Sequence, residues 1–120
     1  MSYVDGFVIP VPKKKLGEYR KMARLGCKVW MEHGAIDYRE CVADDVQLGK
    51  LTSFPRSVKL KKNEVVIFAY IVYKSRKDRD RINKKAMNDR RFANMNPKNM
   101  PFDGKRMFFG GFKTLVSSSK

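Results

Sequence analysis

The sequence has one histidine, His33, and two cysteines, Cys27 and Cys41. The cysteines fall outside any CxxC spacing, and with one histidine a zinc site is short of nitrogen and sulfur ligands. The expectation is two ordinary reduced thiols, with no metal and no cofactor. A catalytic triad would have to use His33, and nothing near it resembles GxSxG. No apolar run approaches the roughly 18 residues needed to span a bilayer. The opening "MSYVDGFVIPVPKKK" places its apolar run ahead of its bases, the reverse of a secretory signal, so a cytoplasmic protein is expected. Acid is scarce as well. Twelve Asp and Glu face 27 Lys and Arg, a formal net charge of +15. Such a surface attracts polyanions without amounting to a specific nucleic-acid site.

What is present is enough for one domain, expected over residues 1–116, with "SSSK" as a disordered tail at 117–120. A chain of this length can bury a core without staples. "YVDGFVIPV" reads as a first strand, frayed or at an edge where Pro10 interrupts it. From Lys13 to about Gly34, apolar residues recur through Leu16, Tyr19, Ala23, Cys27, Trp30 and Met31 at mostly three- and four-residue spacing, which predicts a helix closed by Gly34. Gly17 and Gly26 weaken that helix by roughly 1 kcal/mol each against Ala. Ile36 to Val42 alternates as a second strand, and Val46 to Lys62 reads as a connection. "EVVIFAYIVY", Glu64 to Tyr73, is the clearest strand and is apolar on both faces. Ser75 caps a second helix whose thin stripe runs Ile82, Ala86, Met87, Arg90, Ala93. "RMFFGGFKTLV" reads as the last strand.

The order β-α-β-β-α-β is an α+β, ferredoxin-like plan with both helices on one face of an antiparallel sheet. The third strand needs cover on its second face as well. Two such sheets packed face to face, a homodimeric α/β barrel, would supply it, whereas a monomer would present a large apolar patch.

Several motifs bear on chemistry. Gly49-Lys50 and Gly104-Lys105 both lack the first glycine and the hydroxyl of a phosphate loop. An RNA-recognition domain shares the topology, but "EVVIFAYIVY" lacks the base and glycine of its third-strand signature, and "KRMFFGGF" stands on the wrong strand. "ADDVQLGK" offers two carboxylates, too few for a cation, and reads as a turn. If the barrel holds a pocket for a small molecule, its expected lining is Asp5, His33, Tyr38, Glu40, Asp103 and Arg106, where a buried carboxylate could move a proton. The plainer reading pairs Asp5 or Glu40 with Arg39 or Arg106. The competing function is polyanion or RNA binding. Its bases would be Arg56, Lys59, Lys61 and Lys62 in the connection, with Arg76, Lys77, Arg79, Arg81, Lys84, Lys85, Arg90 and Arg91 on and after the second helix. That function requires them on one continuous face.

Three stretches together, "YVDGFVIPVP", "GAIDYRECVADDVQLGK" and "MPFDGKRMFFGGF", resemble the small bacterial family of uncharacterised YbaA-like proteins, DUF1428. The resemblance covers nearly the whole chain. It implies the dimeric α/β-barrel variant of the ferredoxin-like fold, and it attaches no activity and no catalytic role to any residue. Related dimeric barrels include cofactor-independent oxygenases and isomerases, an analogy of fold alone.

Overall fold

A computed structural model describes residues 1–118. The last two positions of the expected tail therefore lie outside the described residues. The described residues form four strands and three α-helices, besides short 3-10 turns: β1 (Tyr3–Pro12), α1 (Leu16–His33), β2 (Asp37–Val42), α2 (Phe54–Ser57), β3 (Glu64–Tyr73), α3 (Arg76–Met87) and β4 (Phe108–Lys113). The sheet is antiparallel throughout, in the order β2-β3-β1-β4. This is a mixed α and β fold. Among the described residues no helix is long and apolar enough to cross a membrane.

Register sets what each face carries. Tyr3, Asp5, Phe7, Ile9 and Val11 of β1 stand opposite Tyr73, Ile71, Ala69, Ile67 and Val65 of β3. With Tyr38, Glu40 and Val42 of β2 they form the face on which α1 and α3 lie. Tyr73, Ile82, Val11 and Val29 are completely buried there. Burying an apolar side chain of this size contributes roughly 1.5–3 kcal/mol.

The helix ends follow their capping residues. Gly34 closes α1 at φ +122, a conformation in which a Cβ would be strained. The Ser75 side chain accepts the Asp78 amide at the start of α3. The stripe expected for this helix stops early. Ile82 and Ala86 are buried, but Met87 is exposed and Asn88 caps the helix, so Arg90 and Ala93 fall in the turns beyond it. Pro10 lies in a central strand and is buried. It is accommodated because β4 pairs with β1 only as far as Val8, leaving that edge open at Pro10.

The second face of the sheet is half covered. Val58 and Leu60, in the connection after α2, pack on Val8 and Val66. Beyond them Phe68, Phe108 and Phe112 remain exposed at 43%, 45% and 63%.

The closing motif is a brace. Asp103 accepts the Lys105 amide on its side chain, and its carbonyl accepts the Arg106 and Met107 amides. Gly104 holds no positive φ, so that turn does not depend on it. Gly110 and Gly111 make no bulge, since β1 and β4 stay in register through both. The close approach at Gly111 comes from this chain's own Tyr3. A Cβ at Gly111 would sit 2.4 Å from the Tyr3 hydroxyl.

Candidate functional site

Four acidic side chains, Asp5 and Glu64 buried and Asp89 and Glu40 half-buried, decide where chemistry could reside, because a carboxylate drawn from water needs a partner. Three of them have an arginine. Asp5 on β1 accepts from Arg79 on α3 at 2.9 Å, and the same guanidinium lies 4.9 Å from the centre of the Tyr3 ring. Burial nevertheless pushes the Asp5 carboxyl up, with Arg79 opposing it. Glu64, at the start of β3, is gripped by Arg106 at 2.6 and 2.8 Å. Hydrogen bonds from Arg106 hold Glu64 below the ordinary carboxylate range. Arg106 also donates to Asp103 and to the carbonyls of Val58 and Lys59, tying the closing motif to the connection. Asp89 binds Arg91 at 2.8 Å and His33 at 3.0 Å.

Glu40 differs. It projects from β2 towards α1 and pairs with no Lys or Arg among the described residues. Both its oxygens instead accept phenol hydroxyls, Oε1 from Tyr19 on α1 and Oε2 from Tyr38 at 2.6 Å. Burial first, and then the neighbouring Glu40 charge, push both tyrosines well above their ordinary range. Both hydroxyls therefore stay protonated as donors, and the carboxylate is the acceptor of the trio.

Sequence and packing place this trio closely. Gly26 on α1 leaves the room that Tyr38 uses, since a Cβ there would lie 2.8 Å from the Tyr38 hydroxyl. The helix accepts a poor helix former at that position, and the hydroxyl reaches Glu40. On the other side Phe102, in the closing motif, meets the Tyr19 ring edge-on at 6.0 Å. The trio borders a cavity of about 300 Å³ between α1 and β2, whose other walls include Leu16, Ala23, Val42 and Ile67. Arg20 and Arg24, exposed and one turn apart on α1, line it too and make no ion pair among the described residues.

The six residues expected at a pocket thus separate within the chain. Tyr38 and Glu40 share the α1–β2 cavity. Asp5 is engaged by Arg79, and Asp103 and Arg106 belong to the brace. His33 lines a second, basic cleft with Arg81, Lys84, Lys85, Arg90 and Arg91. The expected pairing of Asp5 or Glu40 with Arg39 or Arg106 is not the one adopted. Arg39 meets Asp37 at 3.5 Å. Tyr19 and Glu64 were missed. Tyr19 lies on the apolar stripe, where spacing cannot tell a hydroxyl with a task from a core ring, and Glu64 read only as the start of a strand.

The bases divide as well. Arg56, Lys59, Lys61 and Lys62 lie in the connection whose Val58 and Leu60 pack on the second face, and Arg56 is tied to the carbonyls of Leu48 and Gly49. Arg76, Lys77, Arg79 and Arg81 belong to α3 on the first face, where Arg79 is occupied by Asp5. Among the described residues no three His, Cys, Asp or Glu side chains group closely enough to hold a metal ion.

The family model of a protein of unknown function, DUF1428, matches residues 2–104. The chain belongs to the DUF1428 family. Its relatives in this family include the uncharacterized protein YbaA of Escherichia coli K12, 46% identical over 116 residues, 97% of this chain and 98% of that one. YbaA of Shigella flexneri matches with the same figures. Among solved structures, the de novo designed protein Foldit4 superposes at a TM-score of 0.51 with 12% identity, over 95% of this chain and 99% of the other. That likeness is one of fold alone. The DUF1428 name carries no activity with it, so function has to be argued from the side chains.

Proposed function

We propose that this protein is a homodimer of the dimeric α/β-barrel type, each protomer binding a small, mostly apolar organic acid between α1 and β2. The observation that carries the reading is Glu40. A half-buried carboxylate with no ion-pair partner among the described residues, held instead by two phenols, is a poor choice for stability alone. It is a good choice for an acceptor that must keep a fixed position. Both Glu40 oxygens retain lone-pair capacity for a ligand hydroxyl or N–H donor. The apolar walls suit the body of such a ligand, and the free guanidinium groups of Arg20 and Arg24 suit its acid group.

The strand order supports a ferredoxin-like plan, in which the exposed Phe68, Phe108 and Phe112 face would close against a second copy. The barrel frames the pocket rather than forming it.

A thermal-shift panel of small aliphatic and aromatic carboxylic acids tests the ligand. At least one acid should raise the melting temperature of the wild type, and that shift should vanish in Glu40→Gln and in the Arg20→Gln/Arg24→Gln pair. No shift with any acid, or an equal shift in Glu40→Gln, overturns the reading. Light scattering should give about twice 14.0 kDa.

A further inference from the structure

The cleft that holds His33 is chemically unlike the α1–β2 cavity. It measures about 820 Å³ and opens to solvent between the end of α1 and the end of α3. Arg81, Lys84 and Lys85 reach it from one face of α3, at the three- and four-residue spacing that aligns side chains on a helix. Arg90 and Arg91 approach from the turn that follows. Asp89 is its sole acidic lining residue, and that carboxylate is already taken up by Arg91 and His33. Arg91 is further neutralised by Glu32 at 2.6 Å, and Arg81 is loosely held by Asp78 at 3.4 Å. Lys84, Lys85 and Arg90 have no carboxylate partner among the described residues. Three free cations and a loosely held fourth therefore converge on one concavity.

We propose that this cleft is a binding site for a short chain of phosphate groups, of the length of a triphosphate. Several cations around one concave surface suit a compact, multiply charged anion, and the planar guanidinium forks suit phosphate oxygens. Two observations separate this ligand from an extended nucleic acid. The bases of the connection, Arg56, Lys59, Lys61 and Lys62, line no part of this cleft, and Arg56 and Lys59 flank Val58, which packs on the other face of the sheet. The lining holds no Phe, Tyr or Trp on which a base could stack, and its one imidazole, His33, is held edge-on by Asp89 at 3.0 Å.

Isothermal titration calorimetry with inorganic tripolyphosphate, run on the full chain at several salt concentrations, tests the proposal. The wild type should bind, with affinity falling as salt rises. Lys84→Gln/Arg90→Gln should weaken binding at least about tenfold, since each removed contact is a charge-assisted hydrogen bond. These side chains are exposed and unpaired, so the variant should melt as the wild type does. The control Lys61→Gln/Lys62→Gln, with the same loss of charge outside the cleft, should bind as the wild type. Absence of binding at low salt, or an equal loss in the control, overturns the proposal. So does a single-stranded oligonucleotide that binds far more tightly than tripolyphosphate and loses as much in the control pair. Because neither Glu40 nor the α1–β2 cavity enters, the outcome is independent of the organic-acid reading.

Discussion

Replacing Arg106 with methionine is the sharpest test of how the closing motif holds the fold. Arg106 retains 16% of its side-chain exposure and Glu64 only 4%. The guanidinium spans both Glu64 oxygens, the Asp103 carboxylate and two carbonyls of the connection. Removing one partner of a buried pair costs about 3–5 kcal/mol, because the other charge is left stranded. Here the low end, about 3 kcal/mol, is expected, since Glu64 keeps the Lys61 amide at 2.8 Å. That is a large part of a total stability of roughly 5–15 kcal/mol. Urea unfolding at fixed protein concentration measures it, and Glu64→Gln with the double variant completes a thermodynamic cycle. The double variant should be less destabilised than the sum of the singles. The pH dependence has a fixed sign. Glu64 is depressed in the folded state, so its contribution is fully present above the ordinary carboxylate range of about 4.3. It is lost as pH falls through that range and below, and the acid limb of stability should be shallower in Glu64→Gln. Full additivity, or an Arg106→Met variant within about 0.5 kcal/mol of wild type, would refute the brace.

Gly26→Ala should improve α1 by roughly 1 kcal/mol in propensity yet destabilise the protein, because the new Cβ meets the Tyr38 hydroxyl. Made in a Tyr38→Phe background, the same change should become stabilising, and a sign that does not reverse in urea unfolding would refute the packing argument. On the proposed dimer, Phe68→Glu/Phe112→Glu should shift the solution mass in sedimentation from about twice 14.0 kDa to the monomer while leaving the far-ultraviolet circular dichroism unchanged; a mass that does not move refutes this face as a dimer contact. Gly111→Ala should cost about 1–3 kcal/mol through the Tyr3 ring. Gly104→Ala, which meets open space at ordinary φ, should stay within about 0.5 kcal/mol in the same assay.

The elements were legible because each announces itself locally. The unbroken β-branched and aromatic run of "EVVIFAYIVY" places β3 at the residues it occupies, Ser75 caps its helix, and Gly34 stops α1. The partners of charged side chains were not legible, because they follow from register and helix placement rather than from neighbours in sequence. Asp5 and Arg79 lie 74 residues apart and meet only when α3 crosses the end of β1. Tyr19 and Glu40 lie 21 residues apart, and nothing in the spacing of α1 separates Tyr19 from Leu16 or Ala23. One sequence signal did point to the site: Gly26, a glycine inside an otherwise good helical stripe. A glycine that costs a helix about 1 kcal/mol calls for a compensating contact. Here that contact is the Tyr38 hydroxyl, held against α1 so that it can reach Glu40. The weak point in the helix and the carboxylate without a cation are thus two ends of one arrangement. Relieving either end, by Ala at 26 or Gln at 40, should disturb the same cavity.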